Sequence, residues 1–231
     1  MSLNPRVGIY YTIGAMVLAV AAWFAKPWGY LLLWPATSAT LVATGYFGLG
    51  QKVYGKLDWQ HARWARLLHW FTIQGHELSR RTYAKECEPW NQLLPNLLIG
   101  RQLEGKEAAL LKEAGVKAVL DLTSEFSEPE SLRKLNYLSL PILDLTAPSE
   151  EEVDTALDFI DRNRSRGKVY LHCKIGYSRT AAIAGSYLVH SGHATDANEA
   201  IRQLQQARPS IIIRPEAKMT IERYAAKCLP S

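Results

Sequence analysis

Cysteine is scarce. The 231-residue chain holds 3 cysteines, an odd number. That excludes a disulfide-stapled secreted scaffold and suits a reducing compartment. The sequence also lacks internal repeats and low-complexity tracts. With 48% hydrophobic and 21% charged residues, it is not a disordered chain. The length accommodates one full-sized domain plus an appendage, not two large domains. Acidic residues are few near the start: residues 1–90 carry nine Lys or Arg against four Asp or Glu, whereas residues 91–231 carry eighteen of each. The whole net charge of +5 therefore sits in the first 90 positions. A nucleic-acid binder carries such an excess on its folded domain, so no nucleic-acid partner is expected. A basic excess beside apolar runs points to a membrane surface.

Charge is missing altogether from two runs, Val7 to Phe24 and Tyr30 to Gly50. Each is long enough to cross a hydrocarbon core of about 30 Å as a helix. Pro35 is expected to kink or shorten the second. The connection holds one charge, Lys26, with Trp23, Trp28 and Tyr30 as interfacial aromatics. Residues 1–50 are thus expected to form a two-helix transmembrane hairpin. Arg6 on one flank and Lys52, Lys56, Arg63 and Arg66 on the other place both ends in the cytoplasm by the positive-inside rule. A cleaved signal peptide is the competing reading of the first run, given Ala19-Val20-Ala21. Either way the C-terminal domain stays cytoplasmic.

Residues 51–90 interleave Trp59, Trp64, Leu67, Leu68, Trp70 and Phe71 with Arg63, Arg66 and His69. That pattern reads as a basic amphipathic juxtamembrane helix on the bilayer or, alternatively, as a helix packed on the following domain. His61, His69 and His76 are expected to be interfacial or exposed, since no ligand pattern near them resembles a metal site.

From residue 91 onward, strand patterns near 97–100, 116–122, 137–143 and 169–172 alternate with helical patterns near 104–114, 179–190, 195–207 and 215–227 and with a helix that starts at Pro148-Ser149, carries Glu150, Glu151 and Glu152 in its first turn and sets Val153, Ala156, Leu157 and Ile160 on one face. The expected fold is α/β, a mostly parallel sheet flanked by helices. The last strand runs into Cys173-Lys174-Ile175-Gly176-Tyr177-Ser178-Arg179-Thr180 and then a helix. A loop between a strand end and a helix start aims backbone N–H groups inward and cradles an anion. Gly176 lets that loop curl. Arg179 offers a planar fork for two phosphate oxygens. Cys173 supplies a nucleophile at the base.

His172-Cys-x-x-Gly-x-x-Arg179-Thr180 resembles the signature of the cysteine-dependent phosphatases, in particular the dual-specificity branch, over about residues 91–228. The resemblance implies that the Cys173 thiolate attacks phosphorus and that Arg179 with the loop stabilises the equatorial oxygens. It further implies that Asp144 is the general acid and that Thr180 eases thiolate departure. His172 is expected to orient the loop, and Lys174, Ile175, Gly176, Tyr177 and Ser178 to line the phosphate site. Asp121 is assigned a structural place at a strand end, and Arg208-Pro209 a structural role before the last helix. No metal or cofactor is called for, because Arg179 and the loop supply the positive potential.

Lys174 after the nucleophile is similar to the loop of the mitochondrial phosphatidylglycerophosphate phosphatase, and Cys-Lys is shared with phosphoinositide 3-phosphatases. Those enzymes place a second basic residue where Tyr177 stands. The difference points away from a highly charged inositol headgroup and toward a monophosphorylated lipid. The expected protein is a membrane-anchored phosphatase acting on a phospholipid monoester, integral to a bacterial inner membrane, with its catalytic domain cytoplasmic. The alternatives are a membrane-tethered protein phosphatase and an inactive phosphate-binding module.

Overall fold

The computed structural model describes residues 3–228. The extremes of the expected N- and C-terminal regions, residues 1–2 and 229–231, lie outside the described residues.

The first apolar run forms α1, Pro5–Phe24. Among the described residues it is the one helix long and apolar enough to cross a membrane. The second run is not a single helix. It comprises a 3-10 turn Trp28–Leu32, the 12-residue α2 (Leu33–Thr44), a π-type turn Gly45–Leu49 and a second 3-10 turn Gly50–Tyr54. Pro35 falls in the first turn of α2, where its missing N–H costs no hydrogen bond, so it starts the helix rather than kinking it. The break comes at Gly48 and Gly50, with φ of +156° and +66°. α2 alone spans about 18 Å, so this arm approaches the length of α1 only with the preceding 3-10 turn.

Residues 51–90 also differ from one amphipathic helix. A small antiparallel hairpin, β1 (Lys56–Leu57) and β2 (Gln60–His61), precedes α3 (Arg63–Leu68) and α4 (Trp70–Ala84). The two helices meet at His69, which is fully buried. Its Nδ1 lies 2.9 Å from the Ser38 hydroxyl and its Nε2 2.9 Å from the Val53 carbonyl. Trp34 Nε1 donates to the carbonyls of Leu67 and Leu68, tying the end of α3 to α2. Trp64, Leu67, Trp70 and Phe71 remain exposed on the outer side of this elbow.

The three histidines do not lie at an interface or in solvent as expected: His61 is also buried, and the rings of His61, His69 and His76 surround Tyr54 at 6.5, 5.4 and 6.1 Å. Hydroxyl and carbonyl partners hold His61 and His69 inside the protein, and His76 Nε2 lies against the Tyr54 hydroxyl.

The remainder forms a five-stranded sheet: β3 (Trp90–Leu94), β4 (Leu97–Arg101), β5 (Val116–Thr123), β6 (Asn136–Ile142) and β7 (Lys168–Cys173). The strand order is β3-β4-β7-β5-β6, parallel except for β3, an edge strand antiparallel to β4 that the sequence reading omitted. Helices α5 (Gly105–Glu113) and α6 (Glu130–Arg133) cover one face. Helices α7 (Glu150–Arg164), α8 (Ser178–His190), α9 (Ala197–Ala207) and α10 (Pro215–Cys228) cover the other.

Period-two alternation sorts the strands. Leu97 and Ile99 face the α7–α10 core, while Leu98 joins Val119 and Tyr170 on the α5 side. α7 begins where Pro148-Ser149 predicts, with Ser149 and Glu152 closing a capping box. The architecture puts the ends of β5, β6 and β7 at one edge, next to the start of α8. Ligands of parallel α/β sheets bind outside such strand ends.

Candidate active site

Cys173 is the last residue of β7, and α8 starts five residues later. The intervening loop closes around Gly176, whose φ is +75°. A Cβ there would sit 2.5 Å from the Gly100 carbonyl oxygen, so only glycine fits. Arg208, fully buried, braces the loop from behind by donating to the carbonyls of Ile175 and Glu88. Ser178 ties the loop to the next segment, donating to the Ile212 carbonyl and accepting from the Arg214 amide.

Cys173, Lys174, Ile175, Tyr177, Ser178 and Arg179 line one cavity of about 230 Å³. Asp144 and Leu145 from the loop after β6, Ser79 and Tyr83 from α4, and Ile212 and Arg214 complete it. Asp144 Oδ1 lies 3.3 Å from Arg179 Nη2 and its side chain is partly open to solvent. Asp121, expected to have a structural place at a strand end, is fully buried and does not line the cavity. Thr180 is also fully buried, and its hydroxyl makes no hydrogen bond among the described residues. Cys87 and Cys228, free like Cys173, do not line the cavity.

Arg179 is held by a residue that the sequence reading missed. Glu125, buried after the end of β5, accepts from Nη1 at 2.9 Å and from Nη2 at 2.6 Å. Nη1 also donates to the Ile142 carbonyl at 3.0 Å. Arg179 Nε donates to nothing among the described residues. That N–H is left for an anion, whereas Nη2 is shared between Glu125 and Asp144. Burial would raise the Glu125 pKa, but Arg179 outweighs it and holds the carboxyl well below the usual range. Burial disfavours the Arg179 cation, yet Glu125 and Asp144 keep it firmly protonated.

Lys174, buried beside the nucleophile, has its Nζ 3.5 Å from His76 Nδ1 on α4. His76 Nε2 lies 3.0 Å from the Tyr54 hydroxyl. Burial lowers the His76 pKa and favours the neutral ring, whose Nδ1 can accept from the lysine. So α4, expected on the membrane or on the domain, forms a wall of the cavity and touches its lysine.

Beneath the loop lies a second charged cluster. Lys56 Nζ is 2.6 Å from Asp121 Oδ2, and Tyr137 donates to the same oxygen. His172 Nε2 lies 3.4 Å from Glu128 and 3.9 Å from Asp121. Burial would lower the His172 pKa, but these two carboxylates push it up to about 9. Asp121, Glu128 and His172 have the chemistry of a metal-ligand trio. The Lys56 ammonium and the imidazolium already balance both carboxylates, so we read the cluster as a buried ion-pair network. His172 thereby anchors the strand end that carries Cys173. Lys56, expected as a membrane-flanking cation, is consumed in this network.

The combination of a strand-end cysteine, a glycine-curled loop and a helix-start arginine is matched by comparison with known proteins. Residues 97–227 fit the family model of the dual specificity phosphatase catalytic domain. The chain belongs to the dual-specificity phosphatase family. This dual-specificity phosphatase is 30% identical over 167 residues to the phosphatidylglycerophosphate phosphatase PTPMT2 of Arabidopsis thaliana, spanning 69% of this chain and 72% of that protein. It is 30% identical over 122 residues to human dual specificity protein phosphatase 16, spanning 52% of this chain and 18% of that protein. Among solved structures, PTPMT1 in complex with PI(5)P superimposes with a TM-score of 0.54 at 20% identity, covering 61% of this chain and 97% of that one. At that identity the likeness concerns the fold. The dual-specificity phosphatase is accordingly a cysteine-dependent enzyme that hydrolyses phosphate monoesters.

Proposed function

We propose that the protein is a membrane-anchored lipid phosphatase that removes the terminal phosphate of a phospholipid monoester, with phosphatidylglycerophosphate as the favoured substrate. One observation carries this reading. The similarity to two plant phosphatidylglycerophosphate phosphatases extends over 69% and 71% of the chain, beyond the catalytic domain, whereas that to the human dual specificity protein phosphatase 16 stops at 52%. The apolar helix α1, the exposed Trp64, Leu67, Trp70 and Phe71, and Lys174 in the cavity support it. The hairpin is taken to seat in a bacterial inner membrane with the catalytic domain cytoplasmic, the side favoured by Arg6, Lys52, Arg63 and Arg66.

In this reading the Cys173 thiolate attacks phosphorus in line with the ester oxygen. Arg179 Nε–H and the loop amides of residues 174–178 hold the equatorial oxygens, with Lys174 adding charge. Asp144 donates its proton to the departing glycerol oxygen as the P–O bond breaks, leaving phosphocysteine. Water then attacks phosphorus, Asp144 takes its proton, and the P–S bond breaks to give inorganic phosphate and the thiolate. Thr180 assists that departure.

The test is phosphate release by the full-length protein in detergent micelles, with phosphatidylglycerophosphate and a phosphotyrosyl peptide at matched concentration and Cys173→Ser as the blank. Faster cleavage of the lipid is expected. Faster cleavage of the peptide favours the membrane-tethered protein phosphatase. Release from both no greater than the Cys173→Ser blank leaves a different phosphate monoester as the substrate or a phosphate-binding module.

A further inference from the structure

The loop that carries Asp144 is fastened to the apolar hairpin. Tyr46, buried in the π-type turn after α2, donates its hydroxyl to the Asp144 carbonyl at 3.1 Å. Asn4, immediately before α1, donates its side-chain amide to the Leu145 carbonyl at 2.8 Å. Leu143, fully buried, packs with Val42, Tyr46, Val53 and Tyr54. The Tyr46 ring is itself stacked on Tyr11 of α1 at 5.9 Å.

The residue between the two held carbonyls is unusual. Leu145 has a φ of +60°, a left-handed conformation that a branched apolar residue adopts only when its surroundings impose it. The Asp144 carbonyl belongs to the peptide plane before the Leu145 Cα, and the Leu145 carbonyl to the plane after it. Fixing both planes fixes φ and ψ of Leu145. The Leu145 amide then donates to Asp144 Oδ1 at 3.2 Å, and the same oxygen lies 3.3 Å from Arg179. Backbone strain at Leu145 is thus converted into the direction of the Asp144 carboxylate.

We propose that the N-terminal hairpin is a positioning element of the catalytic apparatus: Tyr46 and Asn4 hold the backbone of the acid loop so that Asp144 faces the leaving oxygen. This rests on Asp144 being the general acid. The hairpin is therefore more than an anchor, and its loss removes proton donation before it removes phosphate binding.

The experiment is kcat/KM of the full-length protein in micelles across a series of aryl and alkyl phosphates of rising leaving-group pKa. This parameter reports the steps through expulsion of the leaving oxygen, where the acid acts. The variants are Tyr46→Phe, Asn4→Ala and Asp144→Asn, each checked by thermal melting. Tyr46→Phe keeps the ring and removes the donor. It is expected to lower kcat/KM about 3- to 10-fold for poor leaving groups, the worth of one neutral hydrogen bond. Substrates with activated leaving groups should be nearly unaffected, so the leaving-group dependence steepens in the direction of Asp144→Asn. Asn4→Ala is expected to do the same to a smaller extent, and Tyr46→Phe to add nothing in the Asp144→Asn background. A loss equal for every leaving group, or no loss while Asp144→Asn steepens the dependence, overturns the inference and leaves the acid assignment standing. If Asp144→Asn itself leaves the dependence unchanged, the acid assignment fails and this inference fails with it.

Discussion

Glu125 grips both terminal nitrogens of Arg179, with each side chain almost wholly buried. The pair sets the plane of the guanidinium before any substrate arrives, so the orientation of the fork is built into the fold rather than induced. Removing one partner strands the other charge in a dry site. Glu125→Gln is expected to lower stability by about 3 kcal/mol. It should also depress kcat/KM, because the fork loses its fixed direction. Chemical denaturation and steady-state kinetics on the same preparation check both. An active variant of unchanged stability would show that Glu125 is dispensable to the fork.

The His172 network sets an alkaline limit on stability. The folded pKa lies near 9, above the unfolded value of about 6.5. Its contribution is fully present below about pH 6.5 and is lost as pH rises through about 9. Melting temperature should fall over that window. The fall should be flatter in His172→Asn, which melts lower throughout. Glu125 works in the opposite sense: its depressed pKa contributes above the unfolded carboxyl value and is lost as pH falls through the folded one.

Lys174 is expected to carry substrate affinity. Lys174→Met should reduce kcat/KM for the lipid about 10- to 100-fold, the range of one charge-assisted interaction. His76→Leu should raise KM in the same direction and His76→Asn should restore it, since an amide oxygen can stand in for Nδ1. Because burial lowers the His76 pKa, the ring accepts from Lys174 at neutral pH and turns against it once protonated. KM should therefore rise in acid for the native protein and stay flat for His76→Asn. Michaelis constants measured from neutral to acid pH decide this.

Gly176→Ala should damage the loop. The new Cβ meets the Gly100 carbonyl in a left-handed backbone position. Displacement of the loop is expected to cost about 10- to 100-fold in kcat. Circular dichroism should stay native, and vanadate or inorganic phosphate should bind more weakly in calorimetry.

The parts of this molecule that were readable in the sequence are those made locally. The β7 strand, the Cys173–Arg179 loop and α8 are contiguous, and their turn glycine and helix start are fixed by neighbours in the chain. The capped start of α7 at Ser149 is similarly local. What stayed hidden arrives from far away. Glu125 reaches Arg179 across 54 positions, Lys56 reaches Asp121 across 65, and His76 and Tyr46 reach the site across 98. None carries a local motif, and a lone glutamate or tyrosine has many ordinary uses. The histidines misled because their spacing is loose along the chain. They converge on Tyr54 only once α3 and α4 fold back at His69. The second apolar run misled because hydropathy does not register the turn that Gly48 and Gly50 allow.

The most direct test of the central claim is a rapid acid quench of the full-length protein turning over phosphatidylglycerophosphate in mixed micelles, followed by peptide mass analysis. A phosphoryl adduct on Cys173 is predicted, in the native protein and at higher occupancy in Asp144→Asn once formed from an activated aryl phosphate. Release of phosphate from the lipid with no adduct on Cys173 would contradict the account.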